Sequence, residues 1–259
     1  YEIPSLTVQA ALSSDHAFLR PTYADVAAVV NRFSARAFVN RGGVRAEQVV
    51  VTGLPRWDEL VNSEWRLRAE RVRAQLGVSA KERLVCFATQ WIPLSQTKRM
   101  LQAVLRGAAT VNGARLVVKV HPAEPVGKYE DLLKQIPIDG IPPLVVRDID
   151  FFALLSTCDL LITSFSNVAM EAAIMGRPVL ITNLSGEPDP LPYVEDGLAL
   201  GAYSEEEIER RVRALLCDSD IQERLKATQA QYRERDPELF DGKATERVVA
   251  LVQQLSQKP

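Results

Sequence analysis

The sequence predicts an α/β protein of parallel sheets covered by helices, with a large parallel-sheet domain filling most of the chain from about residue 80 onward. Three observations carry this. From Arg83, apolar runs alternate with helical windows: LVCFAT, RLVVKV, PLVV, DLLIT, PVLIT and a weaker LALGAY. Such near-continuous apolar runs are what strands buried on both faces require, and that burial marks a parallel sheet. The run DLLIT then passes through a Ser- and Asn-containing turn into the helical window NVAMEAAIMG. Finally, 259 residues with 47% apolar content allow one large domain or two modest ones with a sizeable core.

Taken in order, the first segment reads as three strands, IPSLTVQ, DVAAVV and QVVVTG, between Ile3 and Gly53. Three strands alone make a thin sheet. The chain opens at Tyr1 almost directly on a strand, which implies further strand and helix units upstream. A polar helix, WRLRAERVRAQLG from Trp65 to Gly77, is expected to lead into a second unit, so the expected division is 1–78 and 79–259. Further on, Ser204 with Glu207 three residues later forms a capping box, and the acidic residues behind it suit the start of a helix. Two amphipathic helices, about Asp220 to Arg235 and Lys243 to Leu255, are expected on the outside or reaching back across the junction.

Composition removes several function classes. A net charge of −2 with both signs interspersed gives no broad positive field, so no nucleic-acid partner is expected. Cys86, Cys158 and Cys217 lack the paired spacing of a zinc site or a disulfide framework, so a reduced, cytoplasmic setting fits. No apolar run approaches the roughly 18 to 20 residues that span a bilayer. Attachment to the inner face of a membrane stays open.

In an open parallel sheet, ligands bind beyond the carboxyl ends of the strands. Four such ends carry polar chemistry: Gln90, His121-Pro122, Arg147-Asp148, and Ser164, Ser166 and Asn167. The last group precedes a helix, whose first amides and positive dipole end attract phosphate, and its side chains add donors. Ser166 has helix capping as its alternative role. Glu171 sits one turn along among apolar neighbours, where a ribose diol suits it unless it faces the surface. His121 at a strand exit can donate to phosphate or move a proton near neutral pH, or it can serve packing. Lys119 alternates with His121 and shares its strand face, as a ligand contact or a solvated end.

Three segments in order, VVVTGLPRWDEL, KVHPAEP and CDLLITSFSNVAMEAAIMGRPVLI with the following Asn183, resemble the two-domain glycosyltransferases of the GT-B fold. Within that fold the chain is most similar to the branch containing UDP-N-acetylglucosamine 2-epimerase and the CDP-glycerol glycerophosphotransferases. The resemblance implies a complete C-terminal Rossmann-like domain preceded by an incomplete N-terminal one. It implies that Ser164, Ser166 and Asn167 bind the diphosphate and Glu171 the ribose. The backbone at Val146 and Arg147 would face the base, and His121 the phosphates at the reacting bond. Gly53 and Pro55 would shape a turn at the cleft. The resemblance implies no metal and no separate cofactor, only a UDP- or CDP-linked donor. The family often carries His-Gly after a strand matching IPSLTVQ, whereas Gln9 is followed here by Ala10 and Ala11. His16 is the substitute candidate, and with His121 completes the expected catalytic residues. Retaining members often place a second glutamate where this chain has Thr163, so retention by that pattern is not expected.

The resulting expectation is a transferase moving a glycosyl or polyol-phosphate group from a nucleotide-activated donor to a cell-surface glycan or lipid-linked acceptor. A sugar-nucleotide epimerase and a non-catalytic nucleotide-binding domain are the two readings kept beside it.

Overall fold

The computed structural model describes residues 3–12, 23–61, 64–138 and 140–257. His16 lies outside them. The chain forms two compact units, Tyr1–Asn62 with Gln231–Pro259, and Ser63–Ala230.

In the first unit, β1 (Leu6–Val8), β2 (Val26–Val29) and β3 (Val49–Val51) form a parallel sheet in that order. Between them runs helix α1 (Arg32–Asn40), started by Asn31, whose side chain accepts from the Ser34 amide at 2.9 Å. Ala27, Val29 and Val44 form a small core with Phe38, Val49 and Val51 around it.

The second unit begins at helix α2 (Trp65–Gln75) and continues through β4 (Arg83–Ala88), α3 (Leu94–Ala109), β5 (Ala114–Lys119), α4 (Val126–Leu133) and β6 (Leu144–Val146). Next come α5 (Phe151–Thr157), β7 (Leu160–Thr163), α6 (Val168–Ile174), β8 (Val179–Thr182), β9 (Leu200–Ala202) and α7 (Glu205–Cys217). Every pairing in its sheet is parallel, in the order β6-β5-β4-β7-β8-β9. All six expected apolar runs are therefore strands. Side chains alternate between faces along a strand. Val85, Phe87, Val118, Ile162 and Leu180 join one core cluster with Met100 and Val104 of α3 and Ile208 and Val212 of α7. The intervening Leu84, Cys86, Val117, Leu161 and Val179 are equally buried, which is why the runs read as apolar throughout.

The boundary expected at residue 78 is displaced. α2 belongs to the second unit because Trp65 meets Phe152 of α5 edge to face, with ring centroids 5.9 Å apart. Arg68 also grips Asp150 through two hydrogen bonds of 2.8 and 3.0 Å, and Asp150 in turn caps α5. The last helices are α8 (Ser219–Arg235) and α9 (Ala244–Ser256), and from Gln231 onward the chain belongs to the first unit. There the Asp58 carboxylate accepts from the Ala244 and Thr245 amides, both at 2.8 Å, and so caps α9 from 186 residues away. The Arg247 guanidinium donates to the Thr52 and Glu238 carbonyls, each at 2.8 Å. Gly53 has φ of 77°, and a Cβ there would stand 2.5 Å from the Glu238 carbonyl oxygen. This position therefore requires glycine for both its backbone conformation and its close approach.

Candidate functional site

The second sheet starts at β4, builds outward through β5 and β6, then returns to the other side of β4 with β7, β8 and β9. The topological switch lies between β4 and β7, where a doubly wound sheet leaves a crevice at the carboxyl ends. All the expected donor-site residues of the second unit lie at these ends or on the helix behind them.

At the exit of β4, the half-buried Gln90 uses its side-chain oxygen within the protein. Its side-chain oxygen accepts from the Phe165 amide at 2.7 Å, the Ser164 amide at 3.0 Å and the Thr163 hydroxyl at 3.4 Å. The main-chain amides of Ser164 and Phe165 are thus engaged within the protein. Val168 donates its amide to the Ser166 hydroxyl oxygen at 3.4 Å, so Ser166 does take part in starting the helix. α6 is seven residues long. The turn keeps the Ser164 and Ser166 hydroxyls and the Asn167 side chain, all half-buried, at the crevice. Glu171 is 2% exposed, which removes the surface-facing alternative for it.

Across the crevice, His121 is exposed beyond β5. Its amide donates to the Thr89 hydroxyl at 2.9 Å, its carbonyl accepts from the Glu124 amide at 2.9 Å, and its Nδ1 accepts from the Ala123 amide at 3.2 Å. Neighbouring Lys119 is not a solvated strand end. It is buried, donates to the Val120 carbonyl at 2.8 Å, and lies 5.2 Å from the centre of the Phe151 ring. Burial holds its pKa below the usual lysine value. At the β6 exit, the Val146 carbonyl accepts from Val120 and the Arg147 guanidinium pairs with Asp148 at 3.2 Å.

Sequence reasoning missed two groups here. One is Glu124, a buried carboxylate that accepts from Tyr129 at 2.7 Å, Lys128 at 2.7 Å and Thr89 at 3.0 Å. Burial alone would raise its pKa, but the three donors outweigh it and hold the carboxyl below its ordinary value. The other is the loop after β8, where Asn183 donates to Asp189 at 2.9 Å and the Tyr203 hydroxyl donates to the same carboxylate at 2.9 Å. Burial, followed by that carboxylate, pushes the Tyr203 hydroxyl up to about 12. A cavity of about 110 Å³ lies beside this loop, lined by Ser164, Phe165, Met100, Thr182, Asn183 and Asp189 among others. The Glu124–Lys128 spacing of four is a local signal that could have been read, whereas Thr89, 35 positions earlier, leaves none. Among the described residues no cluster of three His, Cys, Asp or Glu is arranged to hold a metal ion, and no helix is long and apolar enough to cross a membrane.

Two parallel-sheet units, the second with polar residues at the carboxyl ends around its switch point, give a GT-B-like α/β fold. Residues 6–254 match the family described as CDP-Glycerol:Poly(glycerophosphate) glycerophosphotransferase, and the chain belongs to that family. No protein of curated function matches it. Among solved structures, a variant of the wall teichoic acid polymerase TagF with CDPG superposes with a TM-score of 0.63 at 18% identity, covering 89% of this chain and 56% of that one. UDP-GlcNAc 2-epimerase from Neisseria meningitidis bound to UDP-GlcNAc superposes with a TM-score of 0.69 at 15% identity, covering 89% of this chain and 62% of that one. The chain thus spans about 56% to 62% of the length of these structures.

Proposed function

We propose that the chain carries the donor-binding part of a transferase that moves a polyol-phosphate group, glycerophosphate foremost, from a CDP-linked carrier to a cell-surface polymer. The family match across residues 6–254 is the observation that carries this reading. The crevice supports it chemically. Hydroxyls of Ser164 and Ser166 and the Asn167 amide would hold the diphosphate, Glu171 would meet the ribose, and the backbone at Val146 and Arg147 the base. His121, exposed beyond β5, would contact the phosphates at the bond that breaks. In the transfer, an acceptor hydroxyl oxygen attacks the phosphorus next to glycerol, the bond to the CMP phosphate oxygen breaks, and the acceptor proton leaves to a base. CMP is the leaving group. Donors fixed around the diphosphate would stabilise the charge that gathers on it.

Thermal unfolding with nucleotides tests the reading. Saturating CDP-glycerol is expected to raise the melting temperature by about 5 to 10 °C, from linkage at a ligand excess near a hundredfold. Ser166→Ala and Glu171→Ala are each expected to abolish most of that rise. Absence of any shift with CDP-glycerol, CDP or CMP would sink the proposal. A shift with UDP-N-acetylglucosamine alone, with a 2-epimer among the products, would replace it by the epimerase reading.

A further inference from the structure

We infer that Thr89 is a positioning residue for His121, linking the buried Glu124 carboxylate to the His121 main chain and so fixing where the imidazole Nε2 points. The inference rests on the donor-site reading above for its functional consequence, but its geometry stands on its own. Thr89 follows β4 directly and is buried, where a threonine could serve strand propensity alone. Both capacities of its hydroxyl are nevertheless in use, as donor to Glu124 Oε2 at 3.0 Å and as acceptor from the His121 amide at 2.9 Å.

The far end of this chain is anchored. A buried carboxylate is costly unless donors converge on it, and Glu124 has three, two of them from the first turn of α4. Lys128 supplies the compensating charge at 2.7 Å and Tyr129 a hydroxyl that is itself fully buried. The Glu124 amide closes the turn by donating back to the His121 carbonyl at 2.9 Å. The helix, the carboxylate, the threonine and the histidine main chain therefore form one connected network.

The consequence falls on the ring. With the amide, carbonyl and Nδ1 of His121 all engaged, Nε2 is the polar atom left to meet a ligand. Because Nδ1 accepts from the Ala123 amide, the neutral ring carries its proton on Nε2 and presents a donor. A donor suits a phosphate oxygen. If the Thr89 hydroxyl is lost, the His121 amide and one Glu124 oxygen lose a buried partner, the turn relaxes, and the ring direction is no longer set.

The test compares Thr89→Val, which keeps the shape and deletes the hydroxyl, with Thr89→Ser, which keeps the hydroxyl. The chain has two histidines, so the His121 imidazole signals are assigned by their loss in His121→Gln. Imidazole ¹H–¹⁵N spectra report the tautomer, and calorimetry with CDP-glycerol reports affinity, both on the whole 259-residue chain. Thr89→Ser is expected to match the parent in both. Thr89→Val is expected to lose the single Nε2–H signature and to bind CDP-glycerol about tenfold or more weakly, as a misdirected site group does. Should Thr89→Val not fold, Glu124→Gln takes its place, with the same loss of signature expected. The inference is overturned if the valine or glutamine variant keeps the parent tautomer signature, or if Thr89→Ser loses as much as Thr89→Val. A parent chain that fails to bind CDP-glycerol sinks the functional reading instead, while the His121 spectra still decide the positioning role.

Discussion

Two strand exits in this molecule begin alike and end differently. β3 leaves through Thr52-Gly53 and β4 through Thr89-Gln90, each at the carboxyl end of a parallel strand where ligands are expected. In the first unit the chain itself fills the position. Arg247 donates to the Thr52 carbonyl, and the Glu238 carbonyl abuts Gly53 with no room for a Cβ. In the second unit the same kind of exit braces two loops, one holding His121 and the other Ser164 and Phe165, and leaves their outer atoms at a crevice. A carboxyl-end position is therefore only permission for a site. Whether later chain returns to close it decides the outcome.

The largest test of this contrast is Gly53→Ala. A side chain at φ of 77° is strained, and its Cβ would clash with main chain that cannot swing away. A loss of about 3 kcal/mol is expected from left-handed strain plus overpacking, measured by denaturant unfolding. A loss under about 1 kcal/mol would mean the closure is loose and the two exits are not so different. A second test uses acid. The pKa of Glu124 is lowered in the folded protein, so its stabilisation is fully present above the ordinary value of 4.5 and is lost as pH falls through the folded value below that. Hydrogen-exchange protection of the Ala123 and Glu124 amides should hold from pH 7 to 5 and decline below 4.5. At Gly53 the Arg247 guanidinium is itself held by the Asp241 carboxylate at 2.7 Å, which that bond keeps below its ordinary pKa. This brace too should weaken in acid, so the contrast lies in Thr89 and His121 rather than in acid sensitivity alone. The smallest effect belongs to Arg147→Ala. Its pair with Asp148 lies at the surface, so stability should change by less than about 0.5 kcal/mol. Nucleotide affinity should hold too if only the backbone there meets the base, and a tenfold loss would transfer that contact to the guanidinium.

Strands were legible because burial on both faces writes itself into contiguous residues, as in LVCFAT and DLLIT. The start of α7 was legible for a similar reason, since Ser204 accepts from Glu207 three residues on. Distant pairings left no local trace. Gln90 reads as a polar residue after a strand, and its grip on Ser164 and Phe165 spans 74 and 75 positions. Glu124 reads as part of an exposed loop, HPAEP, yet its role depends on Thr89, 35 positions earlier. The unit boundary failed likewise, because the polar face of α2 hides Trp65 and Arg68, whose partners lie on or beside α5. Within the candidate site, residue types and strand ends could be read. Which amides remained available to a ligand could not, since that depends on which side chains fold back to take them.

The closure at Gly53 also sets an order of events during synthesis. Residues 63–230 form a unit from contiguous chain, so they can complete their core as soon as they emerge. The first unit has its three strands before residue 52 but obtains Glu238, Ala244 and Arg247 only after the whole of the second unit. At translation rates of roughly 5 to 20 residues per second, its sheet would wait on the order of 10 to 40 s for those partners. In that interval the three strands of the first unit lack the contacts that residues 238–247 later supply.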